Sequence, residues 1–212
     1  MTDSDDLLTE SSASRQDRQW SWIEGAGRKL LLMRHAKSAW PDVPDHERPL
    51  ARRGVQAAAV MGHWLQTNGY VPDQVLCSTA RRACETWQLV QTELESVPPV
   101  TFDDQVYGGS ASQLLNLIRR AGTTRTLLVV GHDPALPRLA VTLASVPAAG
   151  PLIGAGATGP PNAVGRMRTK FPTAAIAVLE FTGRWDQLSP ETAQLTCFAT
   201  PRDLSSRAAQ PL

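Results

Sequence analysis

The stretch from Lys29 to Ser38, KLLLMRHAKS, decides how the rest of the chain is read. Four consecutive apolar residues, Leu30 to Met33, have the pattern of a strand buried on both faces, since neither side of its pleat meets water. Such a strand belongs in a parallel sheet covered by helices. It ends in Arg34, His35 and Lys37, three groups able to carry positive charge within four residues. A fold does not require cations packed this closely. Their repulsion is offset if an anion sits among them.

A second segment repeats the design. In LLVVGH, Leu127 to His132, four apolar residues and one spacer again lead to a histidine. Sites in open α/β sheets lie beyond the carboxyl ends of the strands. If the two strands are parallel neighbours, His35 and His132 enter one crevice. Taken singly, each histidine is an ordinary loop residue at a strand end.

A third segment, CSTARRACETW from Cys77 to Trp87, places Arg81 and Arg82 in the first turn of a helix. Cations are unfavourable there, by about 0.3–1 kcal/mol each when exposed, because helix N-termini carry partial positive charge. A bound anion reverses the sign, using free N–H groups and an arginine fork. Arg34, Arg82 and Lys37 together suit phosphate, whose oxygens match planar guanidinium groups.

Periodicity outward from these segments gives a helix over Ala51–Asn68 with Val55, Ala58, Ala59, Gly62 and Leu65 inside, ended by Asn68-Gly69. Asp73–Cys77 reads as a strand. The following helix, capped by Ser78 or Thr79, buries Ala83, Trp87, Val90 and Leu94. Val100–Phe102 reads as a strand, and Ser110–Arg120 as a helix with Leu114, Leu115, Leu117 and Ile118 inside. Pro134 to Ser145 is helical, and Ala174–Phe181 and Leu195–Phe198 are late strands. Alternating strands and helices imply an α/β fold, a three-layer α/β/α sandwich around a mostly parallel sheet. Residues 1–27 read as a disordered or loosely docked tail, with Trp20 and Trp22 packed on the domain surface or, as the alternative, binding a partner. Residues 28–212 form one domain. Within it, residues 146–173 are rich in Gly, Pro and Ala, too long for an ordinary connection, and read as an insertion or lid.

Composition limits the function classes. With 212 residues, 42% hydrophobic and 19% charged, the chain can bury a core. Its net charge of +1 gives no bulk attraction to nucleic acid or a membrane, so neither is expected as a partner. An odd cysteine count (Cys77, Cys84 and Cys197), no CxxC pair, no signal-like N-terminus and no apolar run near ~20 residues point to the cytoplasm.

LLLMRHAKS, RPLARRG, LCSTARRACET and LLVVGHDPAL, in this order, resemble the motifs of the histidine phosphatase superfamily, and within it the SixA-like phosphohistidine phosphatases. The resemblance runs from about Lys29 to Ala144. It implies a phosphoglycerate mutase-like fold and phosphatase activity without metal or organic cofactor. It implies that His35 is the nucleophile, Arg34 and Arg82 (not Arg81) hold the phosphate, and His132 completes the pocket. Lys37 and Ser38 are carried along as substrate-binding candidates. The chemistry agrees. A histidine nucleophile divides hydrolysis into two easier steps through a covalent phosphohistidine. Neighbouring arginines disfavour imidazolium, so the His35 pKa is expected below its ordinary value.

One departure is informative. Many superfamily phosphomonoesterases carry a glutamate acid where this chain reads DDQVYGGS. A phosphoramidate P–N bond needs less acid assistance, which favours phosphohistidine on a protein over sugar phosphates. Asp133 is a candidate proton donor or a loop aspartate capping the next helix, and Asp104 is a weaker candidate. A small-molecule phosphomonoesterase and a non-catalytic phosphate-binding module are the alternatives. His46 and His63 read as surface or boundary residues and Arg48 as a loop brace. Arg166, Arg168 and Lys170 read as a solvated basic run. His35, Asp42, Asp45 and His46 only loosely resemble a metal-ligand set. Cys77 lies five residues before Arg82, one short of the spacing a cysteine phosphatase requires.

Overall fold

The first strand, β1 (Arg28–Arg34), carries Leu30, Leu31, Leu32 and Met33, none exposed to solvent. Because side chains alternate across a strand, Leu30 and Leu32 enter one hydrophobic cluster and Leu31 and Met33 another. One strand thus supplies two cores, as its unbroken apolar run requires. The computed structural model describes residues 27–145 and 163–208. Residues 1–26, with Trp20 and Trp22, and residues 146–162 of the expected insertion lie outside it.

The sheet has the order β3-β2-β4-β1-β6-β7-β5. Its strands are β1, β2 (Gln74–Ser78), β3 (Val100–Asp103), β4 (Thr126–Gly131), β5 (Ala144–Ser145), β6 (Ile176–Phe181) and β7 (Ala193–Ala199). Only β6 runs against the others, pairing antiparallel with β1 on one side and β7 on the other. β1 and β4 are parallel neighbours, with Arg34 opposite Gly131. The next residues in each strand are His35 and His132, so the two histidines leave the sheet side by side.

Helices cover both faces. On the face of Leu31 and Met33 lie α1 (Arg52–Thr67) and α2 (Arg81–Gln91). α3 (Asp104–Gly108), α4 (Ala111–Ile118), α5 (Ala135–Leu143) and α6 (Ala163–Thr169) cover the other face, and α7 (Pro201–Ala208) follows β7 and meets α1. This is the expected three-layer sandwich.

Local differences have clear causes. Val55, expected inside, is 42% exposed. The buried face of α1 is Gly54, Ala58, Met61 and Leu65, a stripe rotated one residue from Val55. That phase is fixed where α1 passes over the loop after β1. A Cβ on Gly54 would lie 2.1 Å from the Lys37 carbonyl oxygen, so only glycine lets the helix approach. Neither Ser78 nor Thr79 caps α2; its N-cap is Ala80, which has no side-chain cap, and Ser78 instead ends β2. The helix after Pro134 stops at Leu143, and Ala144–Ser145 pair with β7 at the sheet edge. Arg166 is not merely solvated: it pairs with Asp203 at 2.7 Å.

Candidate active site

His35 and His132 meet at the carboxyl ends of β1 and β4, with ring centroids 4.9 Å apart. Both are buried, at 8% exposure each. The His35 Nδ1 lies 2.7 Å from the carbonyl oxygen of Ala36. A carbonyl only accepts, so Nδ1 carries the proton and Nε2 keeps its lone pair. Burial lowers the His35 pKa to about 4 against a hydrogen bond to Ala36 that raises it, with Arg82, Arg34 and Arg48 adding to the lowering. The imidazole is therefore neutral at ordinary pH.

His132 is oriented from both sides. A guanidinium only donates, so the Arg82 Nη2 at 3.4 Å makes His132 Nδ1 the acceptor. Nε2 then donates to the Ser78 hydroxyl at 2.7 Å, and that oxygen also accepts from the Ala80 amide. Burial, His35 and Arg82 push the His132 pKa down to about 3.

Arg82 is buried at the start of α2, its charge met by Asp45. Its Nη1 donates to the Asp45 carbonyl at 2.6 Å and its Nη2 to the carboxylate at 2.9 Å. The same carboxylate accepts from Arg48 at 2.8 Å and from the Tyr107 hydroxyl at 3.0 Å. These bonds, Arg48 foremost, hold Asp45 at a pKa of about 2. Arg81 points away and pairs with Glu85 at 2.7 Å. Arg34 donates to the Phe171 carbonyl at 2.7 Å and pairs with Asp133 at 3.2 Å. The Arg34 Nε is buried with no partner among the described residues.

The structure therefore brings together Arg34, His35, Arg82 and His132, with Asp133 at the mouth. Asp133 caps nothing: α5 has no side-chain cap. Ser38 serves the loop instead of the cup. It is buried, accepts from Arg48 Nη2 at 2.7 Å and bridges to Leu50. Lys37 is half-buried and its carbonyl accepts from the Ala51 amide; its ammonium has no hydrogen bond or ion pair among the described residues. Arg48 braces the loop as expected, bonding Ala39, Asp45 and Ser38 and stacking over Trp40 at 3.2 Å. His63 is exposed, beside Glu93.

The sequence assigns Tyr107 no role, Ser78 only that of a helix cap and Asp45 only a place in a loose metal-ligand set. Tyr107 comes from the segment that lacks the glutamate. It stands edge-on to His132 at 5.4 Å and to His46 at 4.9 Å, forming an aromatic rim. His46 also meets the Thr79 hydroxyl at 3.0 Å, and Thr79 in turn bonds Asp104. An open groove of ≈ 760 Å³ runs from Tyr107, His132 and Asp133 past Ser110 to Arg138. Among the described residues no cluster of His, Cys, Asp and Glu could hold a metal ion, and no helix is long and apolar enough to cross a membrane.

The sequence profile of the histidine phosphatase superfamily (branch 1) matches residues 30–106, which include His35 and Arg82. Uncharacterized protein Rv1276c of Mycobacterium tuberculosis is 42% identical over 173 residues, 80% of this chain and 100% of its own length. The structure of a candidate phosphohistidine phosphatase, SixA, from Nakamurella multipartitia is 32% identical, with a TM-score of 0.69, covering 84% of this chain and 98% of that one. The chain belongs to the histidine phosphatase superfamily. Its sheet and helices are the phosphoglycerate mutase-like fold, and its general chemistry is that of the superfamily, phosphatase. A mycobacterial glucosyl-3-phosphoglycerate phosphatase, 14% identical with a TM-score of 0.53 over 80% of this chain and 97% of that one, shares the fold alone. In this histidine phosphatase His35 and His132 stand where neighbouring parallel strands end, the place where open α/β sheets carry their sites.

Proposed function

We propose that the chain is a metal-independent phosphatase that works through a covalent phosphohistidine on His35 and removes phosphate from phosphohistidine on a protein. The observation that carries the proposal is the Ala36 carbonyl at 2.7 Å from His35 Nδ1, which leaves Nε2 as an unprotonated nucleophile in a cationic cup. In the first step the Nε2–P bond forms as the bond from phosphorus to the leaving ring nitrogen breaks, and the substrate imidazole, already protonated on its other ring nitrogen, departs as a neutral imidazole with the electron pair. In the second, water attacks the phosphoenzyme and Nε2 departs with the electron pair. Arg34 and Arg82 hold the phosphoryl oxygens, stabilising charge as it spreads over them, and the neutral His132 holds Arg82 in place through its Nδ1. The orphan Arg34 Nε is a buried donor that an arriving oxyanion would satisfy.

Two features support phosphohistidine as the substrate class. The segment that carries an acid in many superfamily members supplies Tyr107, and Asp104 is taken up by Thr79. With leaving-group assistance reduced, a labile P–N bond is the better match. The rim of Tyr107 and His46 also offers aromatic edges to an incoming ring. Asp133, held by Arg34 as an ion pair, is suited to take a proton from the attacking water of the second step.

The test is acid-labile radiolabel from a phosphohistidine protein. It should be trapped on the wild type and absent in His35→Ala, which stays folded and loses turnover. Activity in His35→Ala equal to wild type refutes the nucleophile. Faster hydrolysis of sugar phosphates than of the phosphohistidine protein selects the small-molecule reading instead.

A further inference from the structure

Two thiols lie just behind the phosphate cup. Cys77 lies in the buried part of β2, one residue before its end, and Cys84 is in the first turns of α2. Both sulfurs are 3.4 Å from one atom, the carbonyl oxygen of Ser78, and Cys84 also reaches the Thr79 carbonyl at 3.5 Å. Sharing that one oxygen places the two sulfurs on the same side of the turn, within twice that contact distance of each other. Ser78, whose carbonyl they share, is the residue whose hydroxyl receives His132 at 2.7 Å. Arg82 lies two residues before Cys84.

We infer that Cys77 and Cys84 form a peroxide-responsive modification site, in which oxidation links them as a disulfide and disables the phosphate cup. Cys84 is the attacking sulfur. It is half-buried, so a small peroxide reaches it, whereas Cys77 is fully buried. The neighbouring Cys77 thiol also brings the Cys84 pKa down to about 7, while the Cys77 thiol is pushed up and keeps its proton. Thiolate character and access together select the reactive cysteine.

The chemistry balances with hydrogen peroxide as oxidant. The Cys84 thiolate attacks one peroxide oxygen, the O–O bond breaks, hydroxide leaves, and Cys84 becomes a sulfenic acid. The Cys77 sulfur then attacks the Cys84 sulfur. The S–S bond forms, the S–O bond breaks, and the Cys77 proton leaves with the hydroxyl as water. Two thiols lose two electrons in all and peroxide becomes two waters. A disulfide draws the sulfurs to about 2 Å, well inside their contact through the Ser78 carbonyl. The turn from Ser78 to Arg82 lies between the bridged residues and must shift with them. It carries the acceptor of His132 and the guanidinium of the cup.

The bond formation is independent of the proposed substrate; only the activity readout rests on phosphatase function, measured with an aryl phosphate. The full chain is treated with peroxide and digested without reductant. A peptide linked through Cys77 and Cys84, with a roughly 10–100-fold activity loss of the size expected for a displaced catalytic group and recovery on dithiothreitol, is the expected result. Cys84→Ser should retain basal activity and keep it in peroxide. In Cys77→Ala, dimedone should trap a sulfenic acid at Cys84. The inference is overturned if both thiols remain free in peroxide, if the linked protein keeps full activity, or if Cys84→Ser is inactivated as fast as wild type.

Discussion

The neutrality of His35 makes a quantitative prediction. An exposed histidine titrates near 6.5, whereas burial and three arginines bring His35 to about 4. At about 1.4 kcal/mol per factor of ten in proton affinity, refusing that proton amounts to roughly 3 kcal/mol in the folded state. Lowering the pH from 8 to 3.5 is the perturbation, and ring nitrogen NMR on labelled protein is the assay. His35 should show one protonated Nδ1 and one bare Nε2 down to about pH 4, and kcat should hold its acid limb to the same midpoint. The linkage has a definite sign. Between pH 6.5 and 4 the unfolded chain binds a proton that the folded chain rejects, so unfolding free energy falls as pH falls. It levels off once the folded imidazole titrates, and His132 acts in the same direction. A His35 midpoint near 6.5, or a proton on Nε2 at pH 7, would refute the reasoning.

Three further substitutions probe the supports of the site. Gly54→Ala drives a methyl into the Lys37 carbonyl; it should cost about 1–3 kcal/mol, seen as a lower thermal midpoint with reduced turnover, and an unchanged midpoint counts against the close approach. Ser78→Ala strands the His132 Nε2–H in a buried place. It should destabilise by about 1–3 kcal/mol and lower kcat more than it raises KM; equal kcat in denaturant-matched samples would end that role. Asp133→Asn should slow hydrolysis of the phosphoenzyme, so that rapid quench with an aryl phosphate shows a burst that the wild type lacks; no burst would remove Asp133 from the second step.

The cup was legible because its parts follow sequence-local rules. LLLMRH and LLVVGH share a register, and a shared register between parallel neighbours becomes spatial adjacency, as the Arg34–Gly131 pairing shows. Arg82 announced itself as a cation misplaced at a helix start. The rim was less legible for a physical reason. Asp45 lies in a Pro-rich loop with no periodicity, and its carboxylate gains meaning only when Arg48, Arg82 and Tyr107 arrive from three segments. Tyr107 stands in DDQVYGGS, but its role depends on Asp45 and His132 reaching it from distant segments. Ser78 was read as a helix cap because Ser before a helix usually is one; β2 extending one residue further turned its hydroxyl toward His132 instead. Val55 shows the limit of periodicity, since close packing at Gly54 set the phase of α1.

That one strand feeds both hydrophobic clusters has a consequence for how this molecule breathes and changes. Neither half of the domain is able to open while β1 stays paired, so the amides of Leu30 to Met33 should exchange with solvent only through global unfolding. His35 hangs from the end of that strand and inherits its permanence. Trp40, 77% exposed, and the Tyr107 rim lie at the surface, outside both clusters. Residue drift there changes the surroundings of the cup, while the imidazole of His35 stays anchored to the last part of the chain to come undone.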